Sequence, residues 1–186
     1  MNVMAINSSP RTHGESRSER LLLNLIEGMR QEGAQVEVVN LREYDIKFCR
    51  GCYTCWTKTP GKCLLKDEMS SDLFPRWLSA DIVVYSSPLY YRSFTAQLQA
   101  FIERTLPSYM PFVESIGDRS GHPPRVEFPD FVVLSAAGFP ELSEFNLLSD
   151  WCKTNFDTEH SRLLTEIYRP GAQALTHSIC EHVAQD

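Results

Sequence analysis

Residues 81–107 read DIVVYSSPLYYRSFTAQLQAFIERTLP and change character twice. The opening DIVVYSS is nearly all apolar, the composition of a strand buried on both faces. Pro88 then fixes a turn, and Tyr90 and Tyr91 follow as flat amphipathic side chains against which a planar ring can lie. From Phe94 the pattern turns helical, with Leu98, Phe101 and Ile102 on one face of FTAQLQAFIERTL. Strand, short loop and amphipathic helix make one βα unit.

The same unit recurs on either side. NVMAIN (residues 2–7) is a short apolar strand, followed by the turn-rich SSPRTHGES. RSERLLLNLIEGMRQEG comes next, with Leu22, Ile26 and Met29 at helical spacing, Leu21 and Leu25 beside them, and Gly33 as a stop. AQVEVVNL is a second strand, and DEMSSDLFPRWLSA a short helix with acids near its N-terminus. Residues 107–129 are irregular and read as a long surface loop able to cover a site. FVVLSAAG is a fourth strand, LSEFNLLSDWCKTNF a helix, RLLTEIY a fifth strand and GAQALTHSICEHVAQD a closing helix. Five alternations predict an α/β fold: a parallel sheet with helices on both faces and right-handed crossovers. Ligands of such sheets bind outside the carboxyl ends of the strands, which points to the loops after strands one, three and four.

Composition narrows the function. The chain has 186 residues, enough for one domain with one core. Its net charge of −6 argues against a nucleic-acid partner. No run of about 18 apolar residues is present, so no membrane span is expected. The start, MNVMAINSSP, lacks the basic and long apolar segments of a signal peptide, so a cytoplasmic protein is expected.

Each of the three loops has a binding reading and a plainer one. NSSPRTHGESRSE offers the hydroxyls of Ser8, Ser9, Ser16 and Ser18, the cation of Arg11 and a turn at Gly14, and it runs into a helix N-terminus. That set suits a monophosphate. It is neither a GxGxxG loop nor a P-loop, and its plainer reading is a serine-rich helix cap. In SSPLYYRSF the tyrosines hold a planar ring or simply cover the core. In SAAGFPE, Ala136, Ala137 and Gly138 let a ligand approach the backbone closely.

Four of six cysteines crowd into residues 49–63, CRGCYTCWTKTPGKC, spaced Cys49-x2-Cys52-x2-Cys55-x7-Cys63. In a reducing compartment clustered thiols read as metal-binding or catalytic before they read as disulfides. Three cysteines at successive x2 steps wrap one corner of a cubane and a fourth closes it, which fits a [4Fe–4S] cluster. Zinc sites pair more widely separated knuckles. The alternatives are buried structural thiols packed by Trp56 and Pro60, or a redox pair at Cys52 and Cys55. Cys152 and Cys180 fall on predicted helices and read as core. His13 and His122 are lone histidines in loops and read as surface residues.

Taken in order, SSPR…GES, SSPLYY…TAQLQAFIERTLP and SAAGFPE resemble the flavodoxin-like NAD(P)H-dependent FMN reductases, from residue 3 to about residue 175. The cysteine stretch is similar to that of the iron–sulfur flavoprotein branch, whose last spacer varies. The resemblance implies one flavodoxin-like FMN-binding domain over residues 1–186, a three-layer α/β/α fold with strand order 2-1-3-4-5. It implies FMN phosphate contacts from Ser9, Arg11, Ser16 and Ser18, and ring and ribityl contacts from Ser87, Pro88, Leu89, Tyr90, Ala137 and Gly138. NAD(P)H is the implied electron donor, with no catalytic acid or base. A small acceptor (quinone, flavin, nitroaromatic or ferric chelate) or a redox protein is the implied partner, in a homo-oligomer, dimer or tetramer. The chain departs from the family pattern at Ser8, where Gly is usual, and at Glu15-Ser16, where Asn-Thr is usual. An electron carrier with a cluster on Cys49, Cys52, Cys55 and Cys63 is the alternative function, and a zinc-clasped binding module a third.

Overall fold

A computed structural model describes residues 1–12, 15–116 and 119–176. Its centre is a five-stranded parallel sheet built from β1 (Asn2–Asn7), β2 (Gln35–Asn40), β3 (Ile82–Pro88), β6 (Asp130–Ala136) and β7 (Leu163–Arg169). The order is β2-β1-β3-β6-β7, which is 2-1-3-4-5 when the parallel strands alone are counted. The two extra strands, β4 (Glu114–Ile116) and β5 (Arg119–Gly121), form a separate antiparallel hairpin inside the segment read as irregular. That hairpin has too few apolar residues to show a period in the sequence.

Alternation along the strands sends their side chains to two cores. On one face Val3, Ala5, Val84 and Val132 pack with Leu22 and Ile26 of α1 (Arg17–Gln31). On the other, Met4, Ile6, Val83, Tyr85, Phe131 and Val133 meet three helices. These are α2 (Phe74–Ser79) through Trp77, α3 (Ala96–Glu103) through Phe101, and α4 (Asn146–Phe156) through Phe156. Trp77 Nε1 donates to the buried Tyr85 hydroxyl at 3.0 Å, so the polar atoms of this aromatic core are satisfied. Burial pushes the Tyr85 phenol well above its ordinary range.

Helix ends follow their sequence signals. Ser16 caps α1, its Oγ accepting from Glu19 N at 3.2 Å. Gly33 closes the helix with φ +85°, the Gly33 and Ala34 amides bonding back to the carbonyls of Arg30 and Met29. The expected helix at residues 67–80 begins as a wide π turn over Met69–Leu73 before α2, with Pro75 in its first turn. Of the expected closing helix, a 3₁₀ turn over Ala172–Thr176 is seen, and the remainder lies outside the described residues. Among the described residues no helix is long and apolar enough to cross a membrane.

Candidate functional site

The loops after β1, β3 and β6 converge on one cleft of about 100 Å³. Each is pinned by backbone bonds. At the end of β1, buried Asn7 accepts from Ser9 N at 3.1 Å and donates to Glu19 Oε1 and Asn40 Oδ1. Ser8 donates from both N and Oγ to the Ser86 carbonyl, at 2.9 and 3.0 Å. Its hydroxyl is turned into the sheet, which explains how a serine stands where the family pattern has glycine. Leu89 N bonds Ala136 O at 2.9 Å, joining the second loop to β6, and Ala137 O accepts from Ala172 N at 2.8 Å.

Nine of the ten residues expected to bind the flavin line this cleft: Ser9, Arg11, Ser16, Ser18, Pro88, Leu89, Tyr90, Ala137 and Gly138. Ser87 does not. It is fully buried behind the wall, where its Oγ donates to Pro88 O at 2.8 Å and accepts from Thr95 N at 3.1 Å. Its visible role is to hold the turn. Arg17, Ala136 and Ala172 also line the cleft. Arg17 follows the N-cap and was legible as a first-turn neighbour, whereas Ala172 arrives from far along the chain with no local signal. At Gly138 an added Cβ would meet Gln173 Nε2 at 3.0 Å, so a side chain there would have to displace the end of that exposed glutamine.

The cleft suits an anion. The first turn of α1 opens onto it, where a helix N-terminus carries partial positive charge. Among the described residues no acidic side chain lines it. Glu15 is exposed, and Glu19 is neutralised by Arg42 at 3.1 Å. His13 lies outside the described residues. The long segment 107–129 contributes none of its described residues to this cleft. Its hairpin is fastened elsewhere, by Met110 N to Pro123 O at 2.8 Å and by the His122 ring against Trp56, with centroids 4.6 Å apart. The expected cover therefore lies over the cysteine segment.

Between Tyr90 and Ser93 the chain makes a tight turn closed by two backbone bonds of 3.0 and 2.9 Å. Its central residues, Tyr91 (φ 49°) and Arg92 (φ 59°), are both left-handed without being glycine. Tyr91 stands fully in solvent beside the cleft, and Arg92 pairs with Glu144 at 3.2 Å.

The four clustered cysteines are free thiols and line a second, smaller pocket of about 20 Å³, walled also by Tyr53, Leu64, Leu65, Leu106 and Pro107. Gly51 and Tyr53 take left-handed backbone, turning the chain so that Cys49, Cys52 and Cys55 face one space. Burial raises the Cys55 thiol, and its three cysteine neighbours raise it further. At Cys52, hydrogen bonding from the Thr54 side chain lowers the thiol. Among the described residues no three Cys, His, Asp or Glu side chains converge on a point as ligands of a single metal ion. A cubane differs, since each thiolate binds its own corner and the four surround the cluster. Four thiols around one small, mostly apolar space have the donor chemistry for that.

A buried ion pair closes the base of the cysteine loop. Arg104 and Asp67 meet at 2.7 Å with side-chain exposures of 1% and 3%. Asp67 also accepts from Lys47 N and Ser70 N, each at 3.1 Å. The strands of chain entering and leaving the loop are thus tied together. Burial alone would raise the Asp67 carboxyl, but the hydrogen bonds from Arg104 and the two amides lower it to about 2. Cys152 is core, its thiol pushed up to about 12 by burial and then by Glu166. Cys180 lies outside the described residues.

The fold recurs among solved structures. In the solved NAD(P)H:quinone oxidoreductase of Methanothermobacter marburgensis the same fold covers 99% of this chain and 91% of that one, with TM-score 0.70 and 17% identity. An FMN-dependent NADH-azoreductase of Bacillus anthracis, solved in complex with FMN, gives TM-score 0.66 at 14% identity, over 99% of this chain and 97% of that one. Among curated proteins, an iron–sulfur flavoprotein of Archaeoglobus fulgidus is 35% identical over 108 residues, 58% of this chain and 46% of the relative. An iron–sulfur flavoprotein of Methanocaldococcus jannaschii is 29% identical over 112 residues, 60% and 55% of the two chains. This chain spans about half the length of these curated relatives. Residues 1–115 match the model of one family, and on that match the chain belongs to the NADPH-dependent FMN reductases.

Proposed function

We propose that the protein is an FMN-dependent NAD(P)H oxidoreductase that hands electrons to a small acceptor of the quinone, flavin, nitroaromatic or ferric-chelate kind. One observation carries the reading: three separate loops bring an anion-binding floor and a flat, uncharged rim into one cleft. A cleft of about 100 Å³ is smaller than a typical pocket of about 300–1,000 Å³ for a whole ligand. It suits the phosphate end, with the rest of the molecule reaching the rim.

Bound FMN supplies the hydride and electron transfer. The chain's residues bind and orient. Ser9, Ser16, Ser18 and Arg11 hold the phosphate at the positive end of α1, and Pro88, Leu89, Tyr90, Ala137 and Gly138 bound the space for the ring and ribityl chain. Among the described residues, no carboxylate or imidazole lines the cleft to hold a proton. Tyr90 and Tyr91 stand exposed at its mouth, and a second copy covering them would give a homo-oligomer. Steady-state assays with NADH and NADPH against several acceptors test the proposal, and failure of both nucleotides to reduce the flavin would sink it.

A second reading is favoured by the cysteine pocket: an electron carrier in which Cys49, Cys52, Cys55 and Cys63 hold a [4Fe–4S] cluster. The cluster would supply one-electron exchange with a redox protein. The names of the curated relatives support it. Iron and sulfide analysis after anaerobic purification separates the two readings. Less than about one iron per chain would reject the cluster, where the cubane needs about four.

A further inference from the structure

The guanidinium of Arg104 has five N–H donors in a fixed fork. Four are spent on one side. Nη1 donates to Lys47 O at 2.6 Å and to Asp67 Oδ2 at 2.7 Å. Nη2 donates to Asp67 Oδ1 at 2.8 Å and to Ser70 Oγ at 2.7 Å. The fifth, on Nε, is buried and has no hydrogen-bond partner among the described residues. Such a group is costly to leave unmade, and one in a native site calls for a reason. Arg104 is also a wall of the pocket that the four cysteines line. Cys63 and Arg104 share the walls of this pocket and of the one beside it.

We infer that Arg104 is a tuning and positioning residue of the cysteine pocket, its two Nη groups locked by Asp67, Ser70 and Lys47 so that its Nε–H donates to sulfur at the Cys63 corner. The inference rests on the cluster reading of that pocket. Hydrogen bonds to cluster sulfurs and nearby positive charge favour the reduced state, so Arg104 sets the potential upward. Asp67 opposes part of that charge. Arginine is required for this division of labour, because a lysine ammonium has no fork to separate the locked donors from the free one.

The experiment is an anaerobic redox titration of the purified holoprotein followed by electron paramagnetic resonance, with iron, sulfide and far-ultraviolet circular dichroism measured on the same samples. Arg104→Met alone would strand the Asp67 charge, so it is paired with Asp67→Asn. The double variant is expected to lower the cluster potential. Asp67→Asn alone leaves the arginine uncompensated and is expected to raise it. A purely structural clamp would alter stability or iron retention without opposite shifts in potential. If the double variant does not fold, Arg104→Lys, which loses the Nε–H, replaces it and is expected to shift negative. Unchanged potentials, or shifts of the same sign, in folded variants that hold their iron overturn the inference and leave the cluster reading standing. Wild-type protein with less than about one iron per chain overturns both.

Discussion

Tyr91 is the residue at which local preference and position disagree most. A two-residue turn with both central residues left-handed favours Asn-Gly, and a tyrosine there costs roughly 1–2 kcal/mol in backbone strain. Its side chain is wholly exposed, so no packing repays that cost. Strain of this kind gathers at functional sites. Tyr91→Asn is therefore expected to stabilise the protein by about 0.5–1 kcal/mol, read from the denaturant midpoint. A lower midpoint would show that the tyrosine is held by contacts absent from the single chain. Ser18 offers a second test at this scale. Among the described residues its hydroxyl meets only Ser16 Oγ, at 3.4 Å, and it lines the cleft. Losing one hydrogen bond to a charged group costs about 1.5–3 kcal/mol, so Ser18→Ala is expected to weaken FMN binding roughly 10- to 100-fold. Riboflavin, which lacks the phosphate, is expected to bind both proteins equally. Equal losses for the two ligands would move the phosphate away from Ser18. These serines were visible in the sequence because they precede a helical pattern. Ser87 shows the limit of that kind of reading, since it shares the motif of its neighbours yet turns inward to fix the Pro88 turn.

The element that matters most for the second reading is the cysteine loop with its clamp. Its thiols were legible from spacing, but Arg104 and Asp67 were not. They flank no cysteine, and their pairing depends on the C-terminal end of α3 meeting the chain that leaves the loop. The pair carries a signature in pH. The folded-state pKa of Asp67, about 2, lies below its ordinary value of 3.8, so the stabilisation is complete above about pH 4. It is lost as pH falls through 2, because the unfolded chain binds the proton first. The shift corresponds to about 2 kcal/mol. Asp67→Asn should flatten the acid limb of the stability curve by about that amount, checked by urea unfolding between pH 5 and pH 2. An unchanged limb would place the acid-sensitive carboxylates elsewhere. Arg104→Leu strands Asp67 in the interior and is expected to cost about 3–5 kcal/mol, seen as a lower thermal midpoint.

At the scale of the whole molecule, apolar runs and helical spacing were sufficient for the parallel sheet. Val83, Val84 and Tyr85 are buried between two layers, as a strand without polar alternation requires. Strand order then brought three distant loops to one end. The pairing of β4 with β5 was not legible, since it rests on backbone bonds and the two strands carry little side-chain pattern. Nor was the packing of their flank against Trp56, through which a segment expected to cover the cleft lies against the cysteine stretch instead. The cleft formed by the loops after β1, β3 and β6 is proposed to hold a flavin that a nicotinamide can reduce. The most direct measurement is the visible absorption spectrum of the protein loaded with FMN and freed of excess, titrated without oxygen with NADPH and then NADH. Protein-bound flavin is expected, with a visible band that bleaches with about one equivalent of at least one nucleotide, in keeping with a two-electron donor. Protein that retains no FMN, or that holds it unbleached by both nucleotides, would contradict it.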